Sequence, residues 1–307
     1  MIQSTNSILM IRPVNFGFNK ETAIDNYYQN SVINNSNEKA QREFDNMVVC
    51  LRENGVSVYV FQDDENDYTP DSIFPNNWVS FHENGDVGLF PMYAKNRRLE
   101  RRPEVLEFLE YKGFIISNIV DYSCAESENK FLEGTGSMIL DRENRVAYCS
   151  ISNRSNEDLF IEFCEDFEFT PVLFNSFQSV DDKRLPIYHT NVMMCIATDY
   201  VIICLDSIDD KKQRKNVSDF INWSGKKLIE ISEKQVESFA GNMLELTNDN
   251  GDSVLVMSKS AEDSLDENQK NTITKYSIIV ASDINTIEVC GGGSARCMMA
   301  EIFLPKK

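Results

Sequence analysis

The chain has 307 residues, 42% of them apolar, and a formal charge of −19. That apolar share supports the core of one large or two ordinary domains, and no run approaches the roughly 18 apolar residues a membrane span needs. The acidic excess repels nucleic acid and anionic membrane surfaces, which leaves small-molecule chemistry as the expected class.

The opening stretch "MIQSTNSILMIRP" has neither a basic n-region nor a cleavage site, so a cytoplasmic location is expected. The first helix is predicted after Asn37, with Phe44, Met47, Val48 and Leu51 on one face and Gly55 as its stop. A second starts at Pro103 and carries Val105, Leu106 and Leu109 before Gly113. The third is predicted from Ser155, with Asp158 three residues on as a variant capping box. The fourth is predicted near Ser207, with Val217, Phe220 and Ile221 apolar and Gly225 after it, and the fifth near Ser260, again with an acid three on at Asp263. Starts near 103, 155, 207 and 260 recur at roughly 52 residues, a period that signals internal repeats.

Short β-rich runs lie between these helices: "VSVYVF", "FIISNIV", "RVAYCSI", "YVIICL", "SVLVM" and "YSIIVA". Each repeat therefore reads as strands plus one helix. Five such units in one chain predict a closed, radially repeated α/β arrangement, because one unit alone cannot bury both its sheet and its helix face. A doubly wound parallel sheet is the competing architecture, but no glycine-rich phosphate loop follows the first strand.

Five further segments recur at about 50 to 57 residues: "FPNNW", "LEGTGS", "HTNVMM", "FAGNML" and "GGGSARCM". In a radial repeat, equivalent places face the axis, so these segments are expected to converge on one pocket. The pocket would hold a thiol (Cys297), an imidazole (His189), a carboxylate (Glu133) and the amides of Asn76, Asn77, Asn191 and Asn242. A Cys/His pair supplies a nucleophile with its acid/base partner, and a carboxylate orients the imidazole. The chain has two histidines; His82 in "FHENGD" reads as an exposed hairpin turn, whereas His189 stands at the mouth of a buried strand. Gly291, Gly292 and Gly293 allow a tight bend that brings backbone N–H groups near the reacting carbon. The eight cysteines, Cys50, Cys124, Cys149, Cys164, Cys195, Cys204, Cys290 and Cys297, form no CxxC pair. Reduced thiols, no metal and no cofactor are expected. Asn242 reads equally well as a pocket residue or as part of a β-turn.

In chain order, "DSIFPNNW", "LEGTGSM", "SNRSN", "HTNVMM" and "GGGSARCM" resemble the motifs of the guanidino-modifying enzymes: arginine deiminases, dimethylarginine dimethylaminohydrolases and amidinotransferases. The resemblance runs from about residue 10 to about residue 305. With "MIRPVNFGFN", the wording is similar to the amidinotransferase-like, citrulline-utilisation hydrolase branch. The resemblance implies a five-bladed α/β propeller, the pentein fold, as one catalytic domain over residues 1–307. It implies that Cys297 attacks the central carbon of a guanidino or ureido group. His189 would protonate the departing amine and later activate water, with Glu133 beside it. Arg154 in "SNRSN" matches an arginine that grips the substrate's α-carboxylate, a bidentate task suited to guanidinium. A second arginine of an "RRxE" pattern falls in the run from Arg97 to Arg102, where "RRLE" and "RRPE" overlap; Arg98 stands in the candidate set. Asp71 would hold the substrate's ammonium or cap a turn.

The chain also departs from the family pattern. Asn76 and Asn77 stand where relatives keep an acid pair, Asn191 stands where deiminases keep another acid, and Gly136 replaces an aspartate. Buried carboxylates stabilise a buried cation, whereas amides offer a neutral donor and acceptor. The leading expectation is thus a neutral ureido substrate: citrulline hydrolysed to ornithine, carbon dioxide and ammonia through an S-linked intermediate. The alternatives are an arginine-type guanidino hydrolase or amidinotransferase with Asp71 supplying charge, and a non-catalytic pentein binding module. The partner expected is a small amino-acid substrate, with no nucleic acid and no membrane; a homo-oligomer is compatible with the sequence.

Overall fold

A computed structural model describes residues 2–31 and 33–307. Its strands form five separate three-stranded sheets and one two-stranded hairpin (Phe177–Val180 with Lys183–Pro186). The three-stranded sheets share one construction. A short strand pairs antiparallel with a central strand, and the central strand pairs parallel with a third. The central strands are Ser7–Arg12, Asp86–Leu89, Val146–Ser150, Tyr200–Ile203 and Ser253–Ser258. Their parallel partners are Ser57–Gln62, Asn118–Asp121, Thr170–Phe174, Lys227–Glu230 and Ile278–Ser282. A parallel pair cannot be joined by a tight hairpin, so each connection carries helix. The first unit is completed by the far end of the chain, where Ala300–Glu301 pairs antiparallel with Ser7–Arg12. The fold is mixed α/β, built from open sheets; among the described residues no sheet closes on itself.

The helix faces follow the apolar periodicity, while their starts follow local capping chemistry. Ser36–Glu53 buries Phe44, Met47, Val48 and Leu51, and Gly55 leaves it at φ +79°. Pro103–Tyr111 starts on its proline. The third helix is Glu157–Asp166, capped one residue later than the sequence suggests: Asn156 accepts from Leu159 N, because Ser155 is buried in bridges to Ser152 and Leu132. The fourth is Lys211–Trp223, capped by Asp210 and not near Ser207, which ends a separate 3₁₀ turn. The fifth is split. Ser258 caps Lys259–Ser264, and Asp266 with Gln269 forms a capping box that starts Glu267–Ile273. Among the described residues three short helices were not expected from periodicity: Gly134–Ser137, Glu233–Glu237 and Asn285–Gly291.

The interior strands are apolar on both faces, as strands covered by helix on one side and by neighbouring units on the other must be. Tyr148 and Val172 pack with Ile202, Ile203, Val217 and Ile221, joining adjacent units in one cluster. Phe44 and Met47 pack against Val256, Ile287 and Met298, joining the last unit to the first. His82 belongs to this interior and not to an exposed turn. Its ring stacks on Phe167 at 4.0 Å and its Nε2 meets Ser80 Oγ at 2.8 Å. No described helix is long and apolar enough to cross a membrane.

A short turn precedes the antiparallel outer strand of each three-stranded sheet: Pro75–Asn77, Gly134–Ser137, Thr190–Val192, the segment around Gly241, and Ala295–Met298. These turns touch in cyclic order. A side chain at Gly134 would collide with Asn76 O, and one at Gly136 with Asn77 Nδ2 and the His189 ring. One at Gly241 would collide with Val192 O. Asn242 Oδ1 accepts from Arg296 N at 3.1 Å, and the Ala295–Met298 turn packs against Pro75–Asn77.

Candidate active site

The ring of turns encloses a cavity of about 20 Å³, room for about one water molecule. Cys297, His189, Asn77, Arg97, Arg154 and Asp71 line it, and Thr22, Asn26 and Gln29 cover it.

Cys297 sits in the Ala295–Met298 turn, 4% exposed. Its Sγ receives two amide donors, Asn191 Nδ2 at 3.4 Å and Asn242 Nδ2 at 3.3 Å. Asn242 cannot be flipped without loss, since its Oδ1 already accepts Arg296 N. Two N–H groups aimed at sulfur suit negative charge there.

His189 Nε2 lies 2.7 Å from Glu133 Oε2. Burial opposes charge on Glu133, but Arg154, the His189 hydrogen bond and Arg97 outweigh it and hold the carboxyl at about 2. Tyr93 N also donates to Glu133 Oε1 at 2.9 Å. An ionised carboxylate only accepts, so Nε2 carries the hydrogen and Nδ1 keeps its lone pair. Burial lowers His189 from its ordinary value against the pull of Glu133, so the resting imidazole is neutral.

The two asparagines of "FPNNW" part company. Asn77 lines the cavity; its Oδ1 accepts Arg97 Nη1 at 2.8 Å, which leaves Nδ2 buried without a partner. Asn76 does not line the cavity. Its side-chain atoms are buried outside it, and its carbonyl accepts from Thr135 Oγ1. Asn191 does not line the cavity either, but its Nδ2 meets Cys297 Sγ and its buried Oδ1 has no partner.

Of the arginine run, Arg97 lines the cavity. It is buried, and it clamps both oxygens of Glu100 at 3.0 and 2.9 Å. Arg98 is turned away, a correction to the candidate set. Its Nε donates to Met92 O and faces Glu126 in a separate outer depression. In the 3₁₀ turn Asn96–Glu100 adjacent residues point in different directions, and Arg97 and Glu100, three apart, are buried together.

Arg154 is buried in the wall, with its guanidinium 4.8 Å over the Tyr188 ring. Its Nη1 is 3.6 Å from Glu133 Oε2. Its remaining donors go to Asp25 and to Thr22 O. Asp71 is buried beside it. Its Oδ2 accepts from Asn19 and Thr22, its Oδ1 has no partner, and burial pushes its carboxyl up against the pull of Arg97.

All three glycines of the run line the cavity, and their backbone also shapes the turn and its packing. Gly291 ends a helix, and Gly292 takes φ +61° with its N–H spent on Glu288 O. The carbonyls of Gly291 and Gly292 accept from Gln29, Asn26 and Tyr188. Gly291 and Gly293 lie so close to the Phe74 ring that a Cβ would stand 2.8 and 2.9 Å from it. The run is needed for a left-handed turn and close packing behind Cys297.

Sequence reasoning missed Thr22, Asp25, Asn26, Gln29, Phe74 and Tyr188. Tyr188 adjoins His189 and could have been found from it. Phe74 opens "FPNNW" and could have been found from it, whereas Thr22, Asp25, Asn26 and Gln29 lie in a stretch without periodicity or a chemical motif.

Comparison with known proteins follows the same line. The family model of eukaryotic N,N dimethylarginine dimethylhydrolase matches residues 12–304. ArgZ, an arginine dihydrolase of the cyanobacterial ornithine-ammonia cycle, superposes with a TM-score of 0.75 at 19% identity. The match covers 98% of this chain and 41% of that one, so this chain spans less than half of ArgZ. The N-terminal domain of ArgZ, solved as a cysteine-to-serine mutant with substrate, gives 0.73 at 17% identity, covering 96% and 97% of the two chains. The dimethylarginine enzyme of Pseudomonas aeruginosa, a mutant complexed with citrulline, gives 0.64 at 13% identity, covering 98% and 100%. No curated protein matches by sequence. With nearly its whole length matched by that model, the chain belongs to the N,N dimethylarginine dimethylhydrolase family, within the guanidino-modifying pentein superfamily.

Proposed function

We propose that this chain is a cysteine-dependent hydrolase of C–N bonds in a guanidino or ureido amino acid, acting as one five-bladed α/β propeller domain. The cyclic contact of the five turns supports the propeller reading. The observation that carries the chemistry is the enclosure, in one cavity, of a thiol held by two amide donors and a neutral imidazole oriented by an ionised carboxylate. In this reading the Cys297 thiol passes its proton to His189 Nδ1 as Sγ bonds to the central carbon, and one C–N bond of that carbon then breaks. His189, positioned by Glu133, gives the leaving amine its proton, then takes one from the water that cleaves the S–C bond. Asn77 Nδ2 stabilises the tetrahedral charge, and Asn191 Oδ1 orients the group.

A neutral ureido group is the leading substrate. Two unpartnered amide atoms lie near Cys297, a donor, Asn77 Nδ2, and an acceptor, Asn191 Oδ1. These match a ureido oxygen and NH₂. Citrulline plus water would give ornithine, carbon dioxide and ammonia. Arg154 would take the α-carboxylate and Asp71 the ammonium. A second reading is favoured by Asp71 Oδ1, a carboxylate oxygen in the same cavity without a partner, and by relatives named for arginine and dimethylarginine. It has Asp71 supporting a guanidinium. Ammonia release from citrulline, arginine, methylarginines and agmatine, with Cys297→Ala as blank, decides between them. Turnover of arginine equal to or better than that of citrulline sinks the neutral-substrate reading, and no turnover of any of them sinks both.

A further inference from the structure

Residues 13–31 form a strap over the cavity, and its bonds to the walls fall on the groups that the proposed reaction uses. Asn19 and Thr22 occupy Asp71 Oδ2 at 2.7 and 3.0 Å. Asp25 occupies Arg154. The guanidinium donates from Nε to both carboxylate oxygens at 3.1 and 3.3 Å, from Nη2 to Oδ1 as well, and from Nη2 to Thr22 O at 2.9 Å. This is a two-oxygen grip on a carboxylate, the arrangement an α-carboxylate would require of the same side chain.

The pair also stands at a boundary. Outside it, Asp25 borders a depression of about 150 Å³ that Tyr188 shares with the inner cavity. Inside, the free space admits about one water and no amino acid. A substrate reaches Cys297 only if the strap moves, and moving it parts Asp25 from Arg154. A guanidinium 2% exposed and left without a partner is strongly disfavoured, so the opened state needs a replacement anion.

We infer that Asp25 is a specificity-determining gate residue, which holds Arg154 in the closed protein and is displaced by a ligand that brings its own carboxylate. This rests on the reading of Arg154 as the α-carboxylate site. A decarboxylated ligand such as agmatine brings no replacement, and with it the Asp25–Arg154 pair has to re-form. Asp25 therefore weakens binding of carboxylate ligands and spares or assists binding of ligands that lack one.

Two measurements on the full chain test this, with circular dichroism confirming that Asp25→Asn folds and Asp25→Glu as the conservative variant. The first is hydrogen exchange of the free protein at Ala23, Asn26 and Asn30, whose amides bond Asn19 O, Thr22 O and Val289 O. Asp25→Asn is expected to speed it about tenfold or more and Asp25→Glu to restore protection; unchanged exchange overturns the gate. The second is calorimetric binding of citrulline, arginine and agmatine in a Cys297→Ala background. The affinity ratio of the carboxylate ligands to agmatine is expected to rise about tenfold with Asp25→Asn, whereas a constant or falling ratio overturns the inference. Absence of binding by any of the three to either protein defeats the proposed function instead, and the exchange result then decides the gate alone.

Discussion

The His189 imidazole meets Glu133 through Nε2 at 2.7 Å, and the same carboxylate lies 3.6 Å from Arg154 and 4.0 Å from Arg97. One buried acid thus serves a neutral base and two cations at once. That arrangement makes the stability of the protein, as well as its chemistry, sensitive to pH.

Glu133 titrates near 2 in the folded chain and from 4.5 ordinarily. Its folded value is depressed, so its contribution is complete above about 4.5 and is lost as pH falls from there toward 2. Linkage puts that contribution at about 3 kcal/mol. Glu133→Gln should therefore lower stability by about that much at pH 7, and by progressively less below pH 4.5. Urea denaturation from pH 7 down to pH 3 measures the gap; a gap constant over that range contradicts the assignment.

Because His189 rests neutral with Nδ1 free, its protonation should switch the reaction off on the acid side. The acid limb of kcat/KM is expected below pH 6.5, since burial lowers the imidazole. His189→Ala should cost about 10² to 10⁴ in rate and abolish that limb. An acid limb that persists unchanged in the variant assigns it to another group.

Asn77 accepts from Arg97 through Oδ1, and a carboxylate at that position could keep the same bond. Asn77→Asp replaces the unpartnered Nδ2 with a second acceptor oxygen near the reacting group. The ratio of arginine to citrulline turnover is expected to rise about tenfold, one opposite charge in a buried site being worth at least that. A ratio that falls or stays level would place Asn77 outside the substrate's reach.

Gly136 has no room for a side chain: a Cβ would collide with Asn77 Nδ2 and stand 3.0 Å from two atoms of the His189 ring. Its φ is not in the left-handed region, so the penalty is steric. Gly136→Ala is expected to destabilise by about 1–3 kcal/mol and to lower kcat more than it raises KM, through displacement of the imidazole. Thermal melting and steady-state rates measure the two effects; wild-type kinetics would show that the wall yields at no cost to His189.

The repeating unit was legible because its causes are local. The apolar face of Ser36–Glu53 and the strand runs between turn formers depend on neighbours within a few residues, and "GGGSARC" announces a strained turn before Cys297 on composition alone. Capping competition shifted the helix starts, since Ser155 is drawn into a bridge and Asn156 caps instead. What decided the site was tertiary. Asn76 and Asn77 are chemically identical neighbours, and only contact with Arg97, twenty residues on, separates the one in the cavity from the one outside. Arg97 and Arg98 divide for the same reason: Arg97 donates to Glu100 and to Phe74 O, Arg98 to Met92 O. The strap lay beyond sequence reasoning altogether. Its order comes from polar bonds to Asp71, Arg154 and the Gly291–Gly292 carbonyls, some of them more than 250 residues away, and periodicity carries no information about partners at that distance.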